Sequence, residues 1–325
     1  MRELLITADF SPASIRKIRE AAGHEFQVEV ISPDSEPMMR YAAYRTAEVI
    51  IGEPNHEELE LAPLLKWLQI TWSGADRYTK DPGFPAAVTL TNATGAFGVT
   101  ISEHVLAGVL SLCRHLPVYS SYQHRSVHRI YRQEKLLSGG TALILGAGDI
   151  GSNVAKRLKA FGMTIIGVCR QRRPLGPEFD EVRILAEADN LLPRADLVVC
   201  CLPNTADTAG YFDRERLLML KSDAILVNVG RGNLIVTDDL TAVLAEGHLH
   251  GVMLDVTDPE PLPRGHALRK MRNVILTPHV AGVSLGAAEE TERKITAICC
   301  DNIRRYIQGW PLRNQVDFGT GYRKK

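Results

Sequence analysis

Three residues in the second half of the chain have the types and placing to protonate a bound carbonyl: Arg231 in "LVNVGRG", Glu260 in "LDVTDPEPLP" and His279 in "VILTPHVAG". Each follows an apolar run, at the C-terminal end of a predicted strand, where ligands bind in open α/β sheets. A guanidinium holds a carboxylate and polarises a carbonyl oxygen, and an imidazole delivers a proton to that oxygen. A carboxylate within reach of the imidazole fixes its tautomer and keeps it charged. Each residue also has a plainer reading. An arginine between two glycines is commonly a surface residue, a histidine after Thr-Pro a structural one, and a glutamate between Pro259 and Pro261 a solvated loop charge. In consecutive loops they form an arginine–carboxylate–histidine set suited to the carbonyl of a 2-keto acid.

Gly146, Gly148 and Gly151 fit G-x-G-x-x-G, with Asp149 and Ile150 between them. The strand-like "ALIL" precedes the motif, an amphipathic helix follows, and the strand "MTIIGVC" comes next, the context of a dinucleotide-binding turn. The first glycine makes the turn, the second admits a pyrophosphate to the backbone, and the third lets the helix approach the strand; the helix N-terminus faces the anion. The alternative is a turn that needs its glycines for packing alone. A site selective for NAD places an acidic residue at the end of the second strand, to accept hydrogen bonds from the ribose hydroxyls. This chain has Cys169 and Arg170 there, with Arg172 and Arg173 following. Arginine donates to a 2′-phosphate instead, so NADP is expected to be preferred, with NAD also admitted. The alternative is a solvated basic loop. With a nicotinamide as hydride source, the set above suits reduction of a 2-keto acid.

The elements that must carry these residues are legible as a rhythm. "ELLIT", "FQVEVI", "AEVIIG", "LKWLQI" and "AVTLTN" read as strands; "SPASIRKIREAAG" reads as a helix capped by Ser11, with Pro12 in its first turn and Gly23 at its stop. A long helix is predicted from Ile101 to about Tyr122. A second α/β series then has strands at "TALIL", "MTIIGVC", "ADLVVCCLP", "DAILVNVG", "LHGVMLDV" and "NVILTP", and one helix from about Leu285 to Gly309 is positioned to cross back to the first series. Two doubly wound parallel-sheet α/β domains follow, the second inserted in the first. At 325 residues both can bury a core. Lysine plus arginine and aspartate plus glutamate both number 38, which leaves no field for nucleic acid or an anionic membrane. No run reaches the length of a membrane span, and "MRELLITADF" has no signal-like apolar region, so a cytoplasmic protein is expected. The six cysteines, lying mostly in apolar runs, are read as reduced core residues, and no metal-ligand spacing is found among the histidines.

These motifs, with "LILGAGDIGSNVAKRLKAFGMTIIGV", "LVNVGRGNLIVTDDL", "GVMLDVTDPEPLP", "VILTPHVAG" and "NATGAFGVTISEHVLAGVL", resemble the D-isomer-specific 2-hydroxyacid dehydrogenase family, nearly end to end. The resemblance implies a Rossmann cofactor domain at residues 101–284, inserted in a flavodoxin-like substrate domain of residues 1–100 and 285–325. It implies Arg231 as binder of the substrate carboxylate and carbonyl, Glu260 as orienting acid and His279 as proton donor. Asp255 corresponds to the partner of the nicotinamide carboxamide; Val229 and Gly230 line the cofactor; Asp149, Ile150, Leu202, Pro203 and Gly282, with Arg231 and His279, complete the expected cofactor set. Ser73, Gly74 and Ala75 in "TWSGADRY" match the loop whose amides hold the substrate carboxylate. The apolar helix from Ile101 and "YSSYQHRSVHRIYRQ" resemble the dimerisation arm, so a homodimer is expected. The implied substrate is a small 2-keto acid such as glyoxylate or hydroxypyruvate. Phosphoglycerate dehydrogenase is an alternative within the family, although the regulatory domain that some of those enzymes carry at the C-terminus is not expected here. The formate-oxidising branch carries glutamine where Glu260 sits. A nucleotide-sensing corepressor of the same fold is the alternative from another functional class.

Overall fold

Continuous apolar runs, with no polar alternation, become the central strands of two parallel sheets whose faces are both covered. The computed structural model describes all residues except Met1, Pro33, Ser126, 131–133, 283–284, 286–288 and 320–325. The chain divides into two units, Met1–Phe97 with Val283–Lys325, and Gly98–Gly282.

In the first unit, β1 (Arg2–Ile6), β2 (Phe26–Val30), β3 (Ala47–Ile51), β4 (Trp67–Gln69) and β5 (Thr89–Thr91) form a parallel sheet in the order β2-β1-β3-β4-β5. This is the flavodoxin-like order, and its direction reverses between β1 and β3. The helices are α1 (Pro12–Ala22), α2 (Pro37–Thr46), α3 (His56–Glu60) and α4 (Asp76–Thr79). Helix α1 starts as its sequence predicts: the Ser11 side chain accepts from the Ser14 amide, Pro12 lies in the first turn, and Gly23 ends the helix at φ 58°.

The second unit begins with α5 (Gly98–Cys113) and α6 (Leu116–His124). The single helix predicted from Ile101 to Tyr122 is therefore two. Pro117 brings no N–H to continue the helix, and His115 takes a left-handed conformation, φ 52°, at the break. Of the predicted arm, Ser126 and residues 131–133 lie outside the described residues. The sheet comprises β6 (Thr141–Leu145), β7 (Thr164–Cys169), β8 (Glu181–Ile184), β9 (Leu197–Cys200), β10 (Ile225–Asn228), β11 (Gly251–Leu254) and β12 (Val274–Leu276). Its order is β12-β11-β10-β9-β6-β7-β8, all parallel, with the reversal between β6 and β9. Helices α7 (Asp149–Ala160), α8 (Arg214–Met219) and α9 (Thr237–Ala245) complete the unit's α-helices, followed in the chain by α10 (Glu289–Ile307) of the first unit. In that first unit α10 packs on α1, where the buried Glu292 carboxylate accepts from the Ser11 amide at 2.9 Å and the Ser14 hydroxyl at 2.6 Å. Residues 286–288 of the predicted helix lie outside the described residues, as do Val283 and Ser284 at the expected domain junction.

Strand β8 was not read from the sequence. It is an edge strand, only half-buried throughout, and its Glu181 pairs with Arg183 and Arg194. Alternating charge of this kind protects an edge and hides the strand from an apolar-run criterion. Among the described residues the cysteines are free and mostly buried, no group of residues has the makings of a metal site, and no helix is long and apolar enough to cross a membrane.

Candidate active site and cofactor cleft

The glycine loop lies at the reversal point of the second sheet, between the C-terminal ends of β6 and β9. Its three glycines meet three different constraints. Gly146 turns at φ 103°, and a Cβ there would lie 2.7 Å from the Cys201 carbonyl oxygen beyond β9. A Cβ on Gly151 would lie 2.2 Å from the Gly146 carbonyl oxygen, so this glycine lets α7 approach the turn. Gly148 has no such neighbour: a Cβ there meets nothing within 4 Å. It is also the N-cap of α7 and gives no side-chain cap, and the first intrahelical bond runs from Ser152 N–H to its carbonyl at 2.9 Å. The start of α7, at Asp149, Ile150 and Gly151, thus offers backbone donors beside clear space, as binding a dinucleotide pyrophosphate requires.

At the end of β7, Cys169 is buried, and its thiol donates to the Gln171 carbonyl at 3.0 Å. The strand thus ends in a thiol followed by an exposed arginine, at the position where an NAD-selective site has a carboxylate. The three arginines are arranged differently from one another. Arg173 donates to the Ala147 carbonyl at 2.9 Å and so lies on the glycine loop. Arg172 forks onto Glu187 at 2.9 and 3.2 Å, and the Glu187 carboxylate also accepts from the Ile184 amide at 2.9 Å. With side-chain exposures of 63% and 38%, the Arg172–Glu187 pair is held weakly enough to exchange partners.

The remaining candidates follow three adjacent strands, β10, β11 and β12. After β10, the side chain of the fully buried Asn228 bridges the turn, accepting from the Gly230 amide at 3.0 Å and donating to the Arg231 carbonyl at 2.8 Å. A Cβ on Gly230 would lie 2.5 Å from the Leu202 carbonyl oxygen, and one on Gly232 would lie 2.0 Å from that of Thr257. The glycines flanking Arg231 therefore wedge its backbone between the loops that follow β9 and β11. Val229 is buried, its amide bonded to the Cys200 carbonyl at 3.1 Å, and Pro203 accepts through its carbonyl from the Thr208 hydroxyl at 2.7 Å.

His279, beyond β12, places Nδ1 2.7 Å from Glu260 Oε1, and both side chains are about half exposed. The imidazole can take a proton from solvent and deliver it through Nε2, with the carboxylate holding the opposite nitrogen. His279 itself has φ 55°, a conformation held by its surroundings. The Asp255 carboxylate, 2% exposed, supplies that hold. Its Oδ1 accepts from the Thr277 hydroxyl at 2.6 Å and the Val280 amide at 2.9 Å, and its Oδ2 from the Ala281 amide at 3.0 Å; the His279 amide donates to the Asp255 carbonyl at 2.9 Å. Gly282 lies in the turn that follows.

In the first unit, Ser73, Gly74 and Ala75 form the turn after β4, at the C-terminal end of that sheet. Asn92 donates to the Ser73 carbonyl at 2.7 Å, and Glu53 receives the Thr71 amide at 2.6 Å and its hydroxyl at 2.8 Å. Burial pushes the Glu53 carboxyl above the usual carboxylate range, against the lowering effect of the Thr71 hydrogen bonds. Sequence reasoning missed Glu53, Asn92 and Asn228. For Asn228 a signal was present, an amide side chain ending an otherwise apolar run in "AILVNVG".

The sequence matches the family model for the D-isomer specific 2-hydroxyacid dehydrogenase NAD binding domain over residues 106–281. A D-isomer specific 2-hydroxyacid dehydrogenase family protein from Aeromonas salmonicida subsp. salmonicida is similar in structure, with a TM-score of 0.85 at 33% identity, covering 98% of this chain and 99% of that one. The NADPH-dependent glyoxylate/hydroxypyruvate reductase of Sinorhizobium meliloti, solved with NADP and sulfate, has a TM-score of 0.82 at 27% identity over 99% of this chain and 100% of that one. The formate dehydrogenase of Arabidopsis thaliana is 29% identical over 318 residues, 93% of this chain and 80% of that protein.

Proposed function

The chain belongs to the D-isomer specific 2-hydroxyacid dehydrogenase family, and we propose that it is an NADPH-preferring reductase of a small 2-keto acid such as glyoxylate or hydroxypyruvate. The His279–Glu260 contact at 2.7 Å, beside a row of C-terminal strand loops that also holds Arg231, carries the reading. When bound, the nicotinamide supplies the hydride. Arg231 holds the substrate carboxylate and polarises the carbonyl, and the amides of Ser73, Gly74 and Ala75 share the carboxylate. His279 gives its Nε2 proton to the carbonyl oxygen as negative charge develops there; Glu260 accepts from Nδ1–H, balancing the imidazolium before the transfer and fixing the neutral Nδ1–H tautomer after it. Gly146, Gly148, Ile150 and Gly151 hold the pyrophosphate; Leu202, Pro203, Val229, Gly230, Asp255 and Gly282 line the rest of the cofactor.

The NADP preference rests on Arg170 following β7 at the position where an NAD-selective site has an acidic residue, with Arg172 and Arg173 in support. The NADP-bound Sinorhizobium enzyme supports the same choice, while the likeness to formate dehydrogenases supports the family fold and a nicotinamide cofactor. On this reading residues 101–284 serve the cofactor, residues 1–100 and 285–325 serve the substrate, and the protein works as a cytoplasmic homodimer. The test is a panel of 2-keto acids with NADPH and with NADH, followed by loss of reduced-cofactor absorbance, for wild type and His279→Ala. The variant should lose about 10²- to 10⁴-fold in turnover while binding NADPH normally. Near-normal turnover in the variant, or equal use of the two cofactors by wild type, would overturn the corresponding half of the proposal.

A further inference from the structure

We propose that His104, on α5, is a positioning residue for the proton donor and acts through Thr277 and Asp255; the proposal rests on the reading of His279 as that donor. His104 Nε2 lies 3.1 Å from the Thr277 hydroxyl oxygen and 3.8 Å from Asp255 Oδ1, and its side chain is only 24% exposed. Its helix is held against the strand that leads into Asp255: a Cβ on Gly108, one turn on from His104, would lie 2.0 Å from the Met253 sulfur of β11.

Proton accounting fixes the direction of the chain of bonds. The Thr277 hydroxyl has one proton, and a carboxylate only accepts, so the 2.6 Å contact with Asp255 Oδ1 uses that proton. The hydroxyl oxygen must then accept from His104, which places a proton on His104 Nε2. The sequence of donors runs His104 Nε2–H to Thr277 Oγ–H to Asp255 Oδ1. Asp255 is also the residue around which the His279 turn is wound, through the amides of His279, Val280 and Ala281. His104 thus locks the hydroxyl rotor that completes the carboxylate's set of donors and joins α5 to the turn whose φ of 55° aims the catalytic imidazole. Removing this lock loosens the aim of His279 without touching substrate, and small misplacements of a reacting group are costly in rate.

The test compares His104→Leu, His104→Gln, Thr277→Val and the double variant His104→Leu/Thr277→Val, using NADPH and the best keto acid of the panel. His104→Leu should lower kcat about tenfold or more, change KM and NADPH affinity by less than about threefold, and enlarge the solvent deuterium isotope effect on kcat. Glutamine, whose amide N–H donates from a similar reach, should recover most of the loss. Thr277→Val should show the same defect as His104→Leu, and the double variant should be no worse than either, as members of one chain behave. In the protein without cofactor, nitrogen-15 NMR should report the Nε2–H tautomer for His104 and a mixed tautomer in Thr277→Val. If His104→Leu does not fold, Thr277→Val, which replaces a hydroxyl by a methyl of the same shape, carries the same kinetic expectation. Unchanged kcat, defects that multiply in the double variant, or a His104 Nδ1–H tautomer would each overturn the proposal. His279→Ala separates the two levels: near-normal turnover there removes the parent reading, whereas a collapse there with an unaffected His104→Leu removes only this one.

Discussion

Adding one methyl group at each of two neighbouring glycines should produce opposite defects. In Gly148→Ala the new Cβ enters space with nothing within 4 Å, and the backbone there, φ −92° and ψ −155°, is one that alanine adopts. Alanine is the poorer N-cap by up to about 1 kcal/mol, and losing glycine's freedom in the unfolded chain returns about 0.4–1 kcal/mol, so apo stability should move by less than about 0.5 kcal/mol. On the proposed cofactor reading, the same methyl occupies the position where a pyrophosphate oxygen approaches the start of α7. One lost hydrogen bond to a charged oxygen costs about 1.5–3 kcal/mol, so NADPH affinity should fall about 10- to 150-fold. In Gly151→Ala the methyl sits 2.2 Å from the Gly146 carbonyl oxygen and 2.9 Å from Ile144 Cγ2. Overpacking of that kind costs about 1–3 kcal/mol, or roughly 2–12 °C in Tm for a domain of this size. Thermal melts of the apo proteins and fluorescence titration with NADPH read both quantities. A Gly148→Ala protein that binds NADPH as wild type does would refute the assignment of the open space to the cofactor.

Three further outcomes follow from the same geometry. Arg231→Lys should raise KM for 2-keto acids and lower kcat, because a point charge cannot reproduce a fork on carboxylate and carbonyl; full activity would assign the anchoring to another cation. Arg170→Asp should shift the NADPH/NADH ratio of kcat/KM towards NADH by about tenfold or more, and the wild-type preference should weaken at high salt; an unchanged ratio would leave the arginines as a solvated loop. Asp189 receives Arg216 at 3.0 and 3.2 Å and the Tyr211 hydroxyl at 2.7 Å, and the Arg216 hydrogen bond, against the raising effect of burial and helped by Tyr211, holds its carboxyl below the usual range. A depressed folded-state pKa gives stability that is present above the unfolded value and lost as pH falls through the folded one. Asp189→Asn should therefore cost about 0.5–1 kcal/mol in urea melts at neutral pH, with the gap closing below about pH 4; a gap independent of pH would exclude the ion pair as its source.

What could be read from the chain was what is local. Runs such as "ALIL" and "AILV" have too few polar atoms to be anything but strands covered on both faces, and the glycine spacing reports a turn contained within six residues. The arginine, glutamate and histidine stood out as candidates because each lies in the loop that follows such a run. Features that depend on neighbours far along the chain were not. The break at His115 needed the recognition that Pro117 outweighs an unbroken apolar stripe. Strand β8 is charged because it is an edge, which only the finished sheet reveals. His104 and Thr277 are 173 positions apart, and no spacing rule joins them. Asp255, read only as a cofactor contact, is also the post around which the His279 turn is wound.

The two glycines around Arg231 limit how this loop can change over time. At position 230 any side chain collides with the Leu202 backbone, and at position 232 with the Thr257 backbone. Neither obstacle is a flexible side-chain tip that a second substitution could shorten. Stepwise drift is therefore closed to the arginine's immediate neighbours, and its aim cannot be tuned by single substitutions beside it. Variation near Arg231 has to enter through other loops, while the Gly230–Arg231–Gly232 backbone is inherited as one indivisible piece.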